Sequence, residues 1–162
     1  MIRMICFGKL DWKLGAEHLL IALRALLDRG VTAELEFVGD GPERERILFT
    51  IDDLALDASA RILPARQDAA ERLRAADILI VGAGDPGLHD DLAQIAAAGV
   101  VVIWTGRPGS AAPIEHDVTG LAIPFRDPQA LLEALILLAR DEAMRDRLIR
   151  NAADPMRAGA SP

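Results

Sequence analysis

Two runs, Ile78-Leu79-Ile80-Val81 and Val100-Val101-Val102-Ile103-Trp104, are apolar at every position. A strand with one face in water would alternate, so these two are expected to be buried on both faces, as central strands of a parallel sheet are. Helical patterns alternate with them, over residues 69–75 and over residues 88–98, the latter closed by Gly99. The N-terminal half reads the same way: a strand over residues 2–7, a loop through Trp12-Lys13-Leu14-Gly15, and a helix with the stripe Leu19, Leu20, Leu23, Leu26 and Leu27, stopped by Gly30. A strand over residues 32–38, a helix from Pro42 to about residue 54 and a short strand over residues 60–63 before Pro64 follow. After the loop Thr105-Gly106-Arg107-Pro108-Gly109-Ser110 come a last strand over residues 118–124 and two helices, begun by Asp127-Pro128 and by Asp141. The alternation predicts an α/β fold: a Rossmann-like doubly wound parallel sheet with helices on both faces. A single domain is expected over residues 1–153, with a flexible tail over 154–162, and ligands are expected at the carboxyl ends of the strands.

Composition agrees. Of 162 residues, 51% are hydrophobic but only 4% aromatic, with no Tyr, which suits helices packed on a sheet and not a β-sandwich. The net charge of −7 argues against a general nucleic-acid or anionic-membrane surface, since phosphate backbones are held by clustered Lys and Arg. Cys6 is the only cysteine, which excludes an intramolecular disulfide and a Cys-based metal site; in an apolar strand it reads as an inert core thiol. His18, His89 and His116 lack metal-ligand spacing, so no metal is expected. No signal peptide is recognisable and no apolar run reaches membrane-spanning length, so a cytoplasmic protein is expected.

The segment Leu35-Glu36-Phe37-Val38-Gly39-Asp40-Gly41-Pro42-Glu43-Arg44-Glu45-Arg46 packs a strand, a glycine turn and a helix start into one βα unit. Gly39 and Gly41 permit positive φ and close backbone approach, and Pro42 fits a first helical turn. Such a turn either seats a phosphate-sized anion or only turns a corner.

Five segments occur in an order that resembles the family 4, or group 1, glycosyltransferases: Gly8-Lys9-Leu10-Asp11-Trp12-Lys13-Leu14-Gly15, Val38-Gly39-Asp40-Gly41-Pro42-Glu43, Ala75-Ala76-Asp77-Ile78-Leu79, Ala96-Ala97-Ala98-Gly99 and Asp117-Val118-Thr119-Gly120-Leu121. The resemblance covers about residues 5–150 and corresponds to the nucleotide-sugar-binding half of the two-domain GT-B fold. It implies a domain that holds a UDP- or GDP-linked sugar, without a metal or other cofactor, while a separate domain or subunit binds the acceptor.

The resemblance also implies which residues do this. Family members carry two glutamates separated by seven residues, for the sugar and the ribose hydroxyls; the corresponding residues here are Pro86 and Gln94. Gln94 keeps an amide for a ribose, whereas Pro86 has no side-chain polar atom and no N–H, with Asp85 as its neighbour. An Arg and a Lys after the first strand stabilise the departing diphosphate in the family. Lys9 matches the Arg, Leu14 stands at the Lys position, and Lys13 comes one residue early. Lys9 and Lys13 are therefore either diphosphate contacts or ordinary solvated lysines. Ala112 stands where a further family glutamate would align. Expected donor-binding positions are Gly8, Lys9, Lys13, Gly87, Leu88 and Gln94, and none carries a catalytic assignment.

Other polar groups read more simply. His89-Asp90-Asp91 at a helix start reads as dipole compensation, and Ser59, Ser110 and Ser161 lie in no Gly-x-Ser-x-Gly elbow. Trp104 reads as core and Trp12 as a loop residue packed over a helix or stacked on a base. Two functional classes follow: a glycosyltransferase-like donor domain working with a separate acceptor-binding subunit, and a non-catalytic scaffold for protein contact or nucleotide sensing. Surface that an acceptor domain would cover also points to a homodimer.

Overall fold

The computed structural model describes residues 1–65, 68–82, 88–106 and 114–154, of which residues 88–91 are described as helical backbone. Strands β1 (Ile2–Phe7), β2 (Ala33–Val38), β3 (Ala60–Leu63), β4 (Ile78–Gly82), β5 (Val101–Thr105) and β6 (Leu121–Ala122) form a six-stranded sheet in the order β3-β2-β1-β4-β5-β6. Every pairing is parallel. The helices are α1 (Ala16–Asp28), α2 (Arg44–Asp53), α3 (Ala69–Ala75), α4 (Leu88–Ala97), α5 (Pro128–Arg140) and α6 (Glu142–Ala153). One face of the sheet shares a core with α1, α2 and α5, through Met4, Cys6, Phe37, Ile80 and Ile103 among others. The other face packs Ile5, Leu79, Val81 and Val102 against α4, α6 and Leu73 of α3. This is the doubly wound architecture read from the sequence, and its strand order reverses between β1 and β4.

The apolar runs of β4 and β5 are buried on both faces, apart from half-buried Gly82 and Trp104. The outer strands differ. In β2 buried Ala33, Leu35 and Phe37 alternate with half-buried Glu34 and Glu36. Glu36 is paired with Arg61 of β3 and, at 3.4 Å, with Arg72 of α3, so the charge of a half-covered strand is answered locally.

Local signals act as read at most helix ends. Asp127 Oδ1 accepts from Ala130 N at 2.9 Å and Asp141 Oδ1 from Met144 N at 2.9 Å, capping α5 and α6. Three local expectations need correction. Pro42 does not open α2: it lies in a turn closed by Arg44 N to Gly41 O at 3.2 Å, where a fixed φ is equally suited, and the helix begins at Arg44. The loop at Trp12-Lys13-Leu14 is a single 3₁₀ turn (Trp12–Leu14). The last strand is two residues long, because Val118 and Thr119 fold into a turn instead. Both donate to Glu115 O, at 3.1 and 3.0 Å, and the buried Thr119 hydroxyl accepts from Glu115 N at 2.9 Å. β-branched side chains favour strands only where a pleated neighbour receives them.

Candidate functional site

The carboxyl ends of β1 and β4 meet at the strand-order reversal, where a doubly wound sheet leaves a crevice. The loop from β1 to α1 rises over this point and is held down residue by residue. Gly8 N donates to Val38 O at 3.1 Å, Leu10 N to Asp40 O at 3.0 Å, and Glu43 N to Leu10 O at 2.9 Å. The Leu10 side chain is fully buried and serves as the anchor. Beyond it Asp11 Oδ1 accepts from Lys13 N at 3.0 Å, capping the 3₁₀ turn, and Gly15 leaves that turn in the left-handed region at φ 66°.

This arrangement explains the two glycines of the β2–α2 turn and corrects their role. A Cβ at Gly39 would collide with the Gly8 carbonyl oxygen, and one at Gly41 would lie 2.7 Å from the Leu10 backbone nitrogen and carbon. Gly39 has φ 153°, whereas Gly41 has no positive φ and is needed for close approach alone. The donors that would hold an anion are already used, Gly41 N by Asp40 Oδ1 at 2.8 Å and Glu43 N by Leu10 O. The glycine turn seats the β1–α1 loop and no phosphate.

Two other segments also prove structural. Asp77 bonds the Arg3 backbone twice, donating its N–H to Arg3 O at 2.8 Å and accepting Arg3 N–H at its side-chain Oδ2 at 2.9 Å, which sets β4 beside β1. In the turn before β6, Asp117 sits at φ 60° and is held by Arg147, which donates to its carbonyl at 2.7 Å and its Oδ1 at 2.8 Å.

The first segment runs from the end of β1. Lys9 and Lys13 are both exposed on the clamped loop, and the space in front of Gly8, at φ 122°, is open to at least 4 Å. Gly82, at the end of β4, lets the Lys13 backbone approach: a Cβ there would lie 3.1 Å from Lys13 O. Gly8, Lys9 and Lys13 all lie on the loop that leaves β1, and the Lys13 backbone of that loop meets Gly82 at the end of β4. Leu88 is the first residue of α4, which follows β4, and Gln94 lies six residues on, exposed while Leu92, Ile95 and Ala96 pack inward. Gly87 lies outside the described residues, as do Asp85, Pro86, Ala112 and residues 155–162.

Cys6 is buried in β1, and burial pushes its thiol far above the ordinary range, in keeping with an inert core group. Trp104 is half-buried against the second face, and Trp12 is 47% exposed beside Arg126. Arg126, from the loop after β6, gave no signal in the sequence, because nothing local distinguishes it from a solvated loop residue.

A groove of about 840 Å³ runs along β6 between α5 and α6, lined by residues such as Leu121, Leu137, Met144 and Arg147. It lies at the sheet edge, holds none of the predicted donor-binding residues, and arises because α5 and α6 straddle an edge strand of two residues. No group of three or more His, Cys, Asp or Glu side chains among the described residues is arranged to hold a metal ion, and no helix among them is long and apolar enough to cross a membrane.

Comparison with known proteins places these features in context. Residues 2–154 match the family described as glycosyl transferases, group 1. The chain is 31% identical over 130 residues to an exopolysaccharide phosphotransferase of Streptomyces coelicolor, covering 79% of this chain and 14% of that protein. It is 28% identical over 123 residues to a lipopolysaccharide core biosynthesis glycosyltransferase of Rhizobium meliloti, covering 76% of this chain and 36% of that protein. It therefore spans about a third or less of these relatives' length. In fold it resembles the Anabaena protein HepE, solved in complex with UDP and glucose, with a TM-score of 0.82 at 19% identity over 99% of this chain and 44% of that one.

Proposed function

The chain belongs to the group 1 glycosyl transferases, and on that premise we propose that it is the half of such an enzyme that holds a nucleoside diphosphate sugar. The observation that carries this reading is the pair of exposed lysines on a rigidly clamped loop over the β1–β4 reversal, beside the open face of Gly8. An anionic diphosphate is the ligand such a loop suits: the backbone that carries the cations is held in place, and backbone at Gly8 admits close approach.

In transfer, the bond from the sugar's anomeric carbon to the phosphate oxygen breaks, and the nucleoside diphosphate leaves with the electron pair. Lys9 and Lys13 would face the negative charge that develops on that oxygen. The acceptor oxygen bonds the anomeric carbon and its proton passes to a base or solvent on the acceptor's side. Gln94 would receive the ribose hydroxyls through its side-chain amide. The acceptor-binding half would come from another part of the enzyme or from a separate subunit. Uridine is the base to test first, because HepE, a fold neighbour, was solved with UDP. The alternative of a non-catalytic scaffold is not supported by the comparisons, and the loop that carries Lys9 and Lys13 is firmly held.

Calorimetric titration with UDP, GDP and ADP tests this. One diphosphate is expected to bind in the micromolar range, and Lys9→Ala should weaken it about 10-fold with an unchanged melting temperature, the worth of one charge-assisted contact. No binding of any of the three sinks the reading.

A further inference from the structure

We infer that Arg126 is a positioning residue for the diphosphate site, acting through Lys13; the inference rests on the donor-binding reading above. Arg126 belongs to the loop between β6 and α5, and its side chain reaches back over the 3₁₀ turn. Its Nη2 donates to Trp12 O at 3.2 Å, the same carbonyl that accepts from Gly15 N at 3.3 Å. Its guanidinium lies over the Phe125 ring at 4.9 Å and near the Trp12 ring at 5.8 Å. The turn is thereby held on two sides. Arg126 fixes its Trp12 end from the α5 side, while the Lys13 backbone rests against Gly82 at the end of β4.

The backbone supplies an independent observation. Arg126 has φ 56°, in the left-handed region that residues other than glycine rarely adopt. In this conformation the guanidinium meets the Trp12 carbonyl and the two rings, so the backbone outlier has a defined set of partners at the 3₁₀ turn. Lys13 follows Trp12 directly, and one residue of slack in the turn would displace its ammonium by more than a phosphate contact tolerates. Lys13 stands one residue early relative to the family pattern, so a fixed turn is what brings its charge to bear.

Arg126→Gly is the informative variant, since glycine accepts φ 56° and only the side chain is removed. The unaltered protein is titrated first with UDP, GDP and ADP; the best binder and its nucleoside are then titrated against Arg126→Gly, Lys13→Ala and the double variant. Arg126→Gly is expected to weaken the diphosphate about fivefold, to leave the nucleoside within twofold, and to cost nothing further once Lys13 is alanine, because coupled residues are non-additive. Arg126→Lys, which keeps one donor for the Trp12 carbonyl, should recover part of the loss. Amide exchange at Leu14 and Gly15 should quicken in Arg126→Gly without ligand. Unchanged diphosphate affinity, fully additive losses or unchanged exchange would each overturn the inference while leaving the donor reading standing. Failure of the unaltered protein to bind any diphosphate overturns both.

Discussion

Gly41 joins fold to site most directly, and alanine there is the sharpest test of the argument. The added Cβ would lie 2.7 Å from the Leu10 backbone nitrogen and carbon, so the β1–α1 loop and the β2–α2 turn must part. Two hydrogen bonds cross that contact, Leu10 N to Asp40 O at 3.0 Å and Glu43 N to Leu10 O at 2.9 Å. Each contributes about 0.5–1.5 kcal/mol, and forcing packed backbone aside costs about 1–3 kcal/mol more, so Gly41→Ala should destabilise by about 2–6 kcal/mol. At a slope of about 2 kcal/mol per molar urea, the unfolding midpoint falls by about 1–3 M. Gly30→Ala separates sterics from conformation, since Gly30 has φ 82° with nothing within 4 Å of a Cβ. It should cost about 1–2 kcal/mol and leave diphosphate binding untouched, whereas Gly41→Ala should lose binding under conditions where it remains folded. A Gly41→Ala loss below about 0.5 kcal/mol, or unaltered binding, refutes the claim that this glycine exists to seat the loop.

Three further outcomes are expected. The buried Cys6 thiol resists ionisation in the folded protein but ionises near pH 9 once unfolded, so stability should be level below that pH and fall above it by up to about 1.4 kcal/mol per pH unit; Cys6→Ala should flatten the decline in urea titrations at pH 8–10. Asp127→Ala removes the acceptor for Ala130 N and should cost about 1 kcal/mol by thermal unfolding, with Asp127→Asn recovering most of it. Thr119→Val keeps the shape but orphans Glu115 N–H in the turn before β6, and should cost about 1–2 kcal/mol, read from the urea midpoint.

By itself the sequence determined the layers. The unbroken apolar runs of β4 and β5, the Leu stripe of α1 and the caps at Asp127 and Asp141 act within a turn or a strand, where side-chain period and local hydrogen bonding decide the outcome. The ordered segments likewise carried the family. The tertiary structure decided what those segments are for. The Gly39-Asp40-Gly41 turn reads as an anion seat because open backbone N–H groups and glycine look alike whether a phosphate or another loop fills the space; Leu10, some thirty residues upstream, fills it. Val118 and Thr119 have strand propensity, yet Glu115 and Arg147 fold them and Asp117 into a turn. Arg126 has no local signature at all, and acquires its place only when the loop after β6 is laid beside the 3₁₀ turn more than a hundred residues earlier. Periodicity and capping are short-range properties of the chain, whereas close approach and clamping depend on which distant backbone occupies the facing space, and only the assembled sheet brings those partners together.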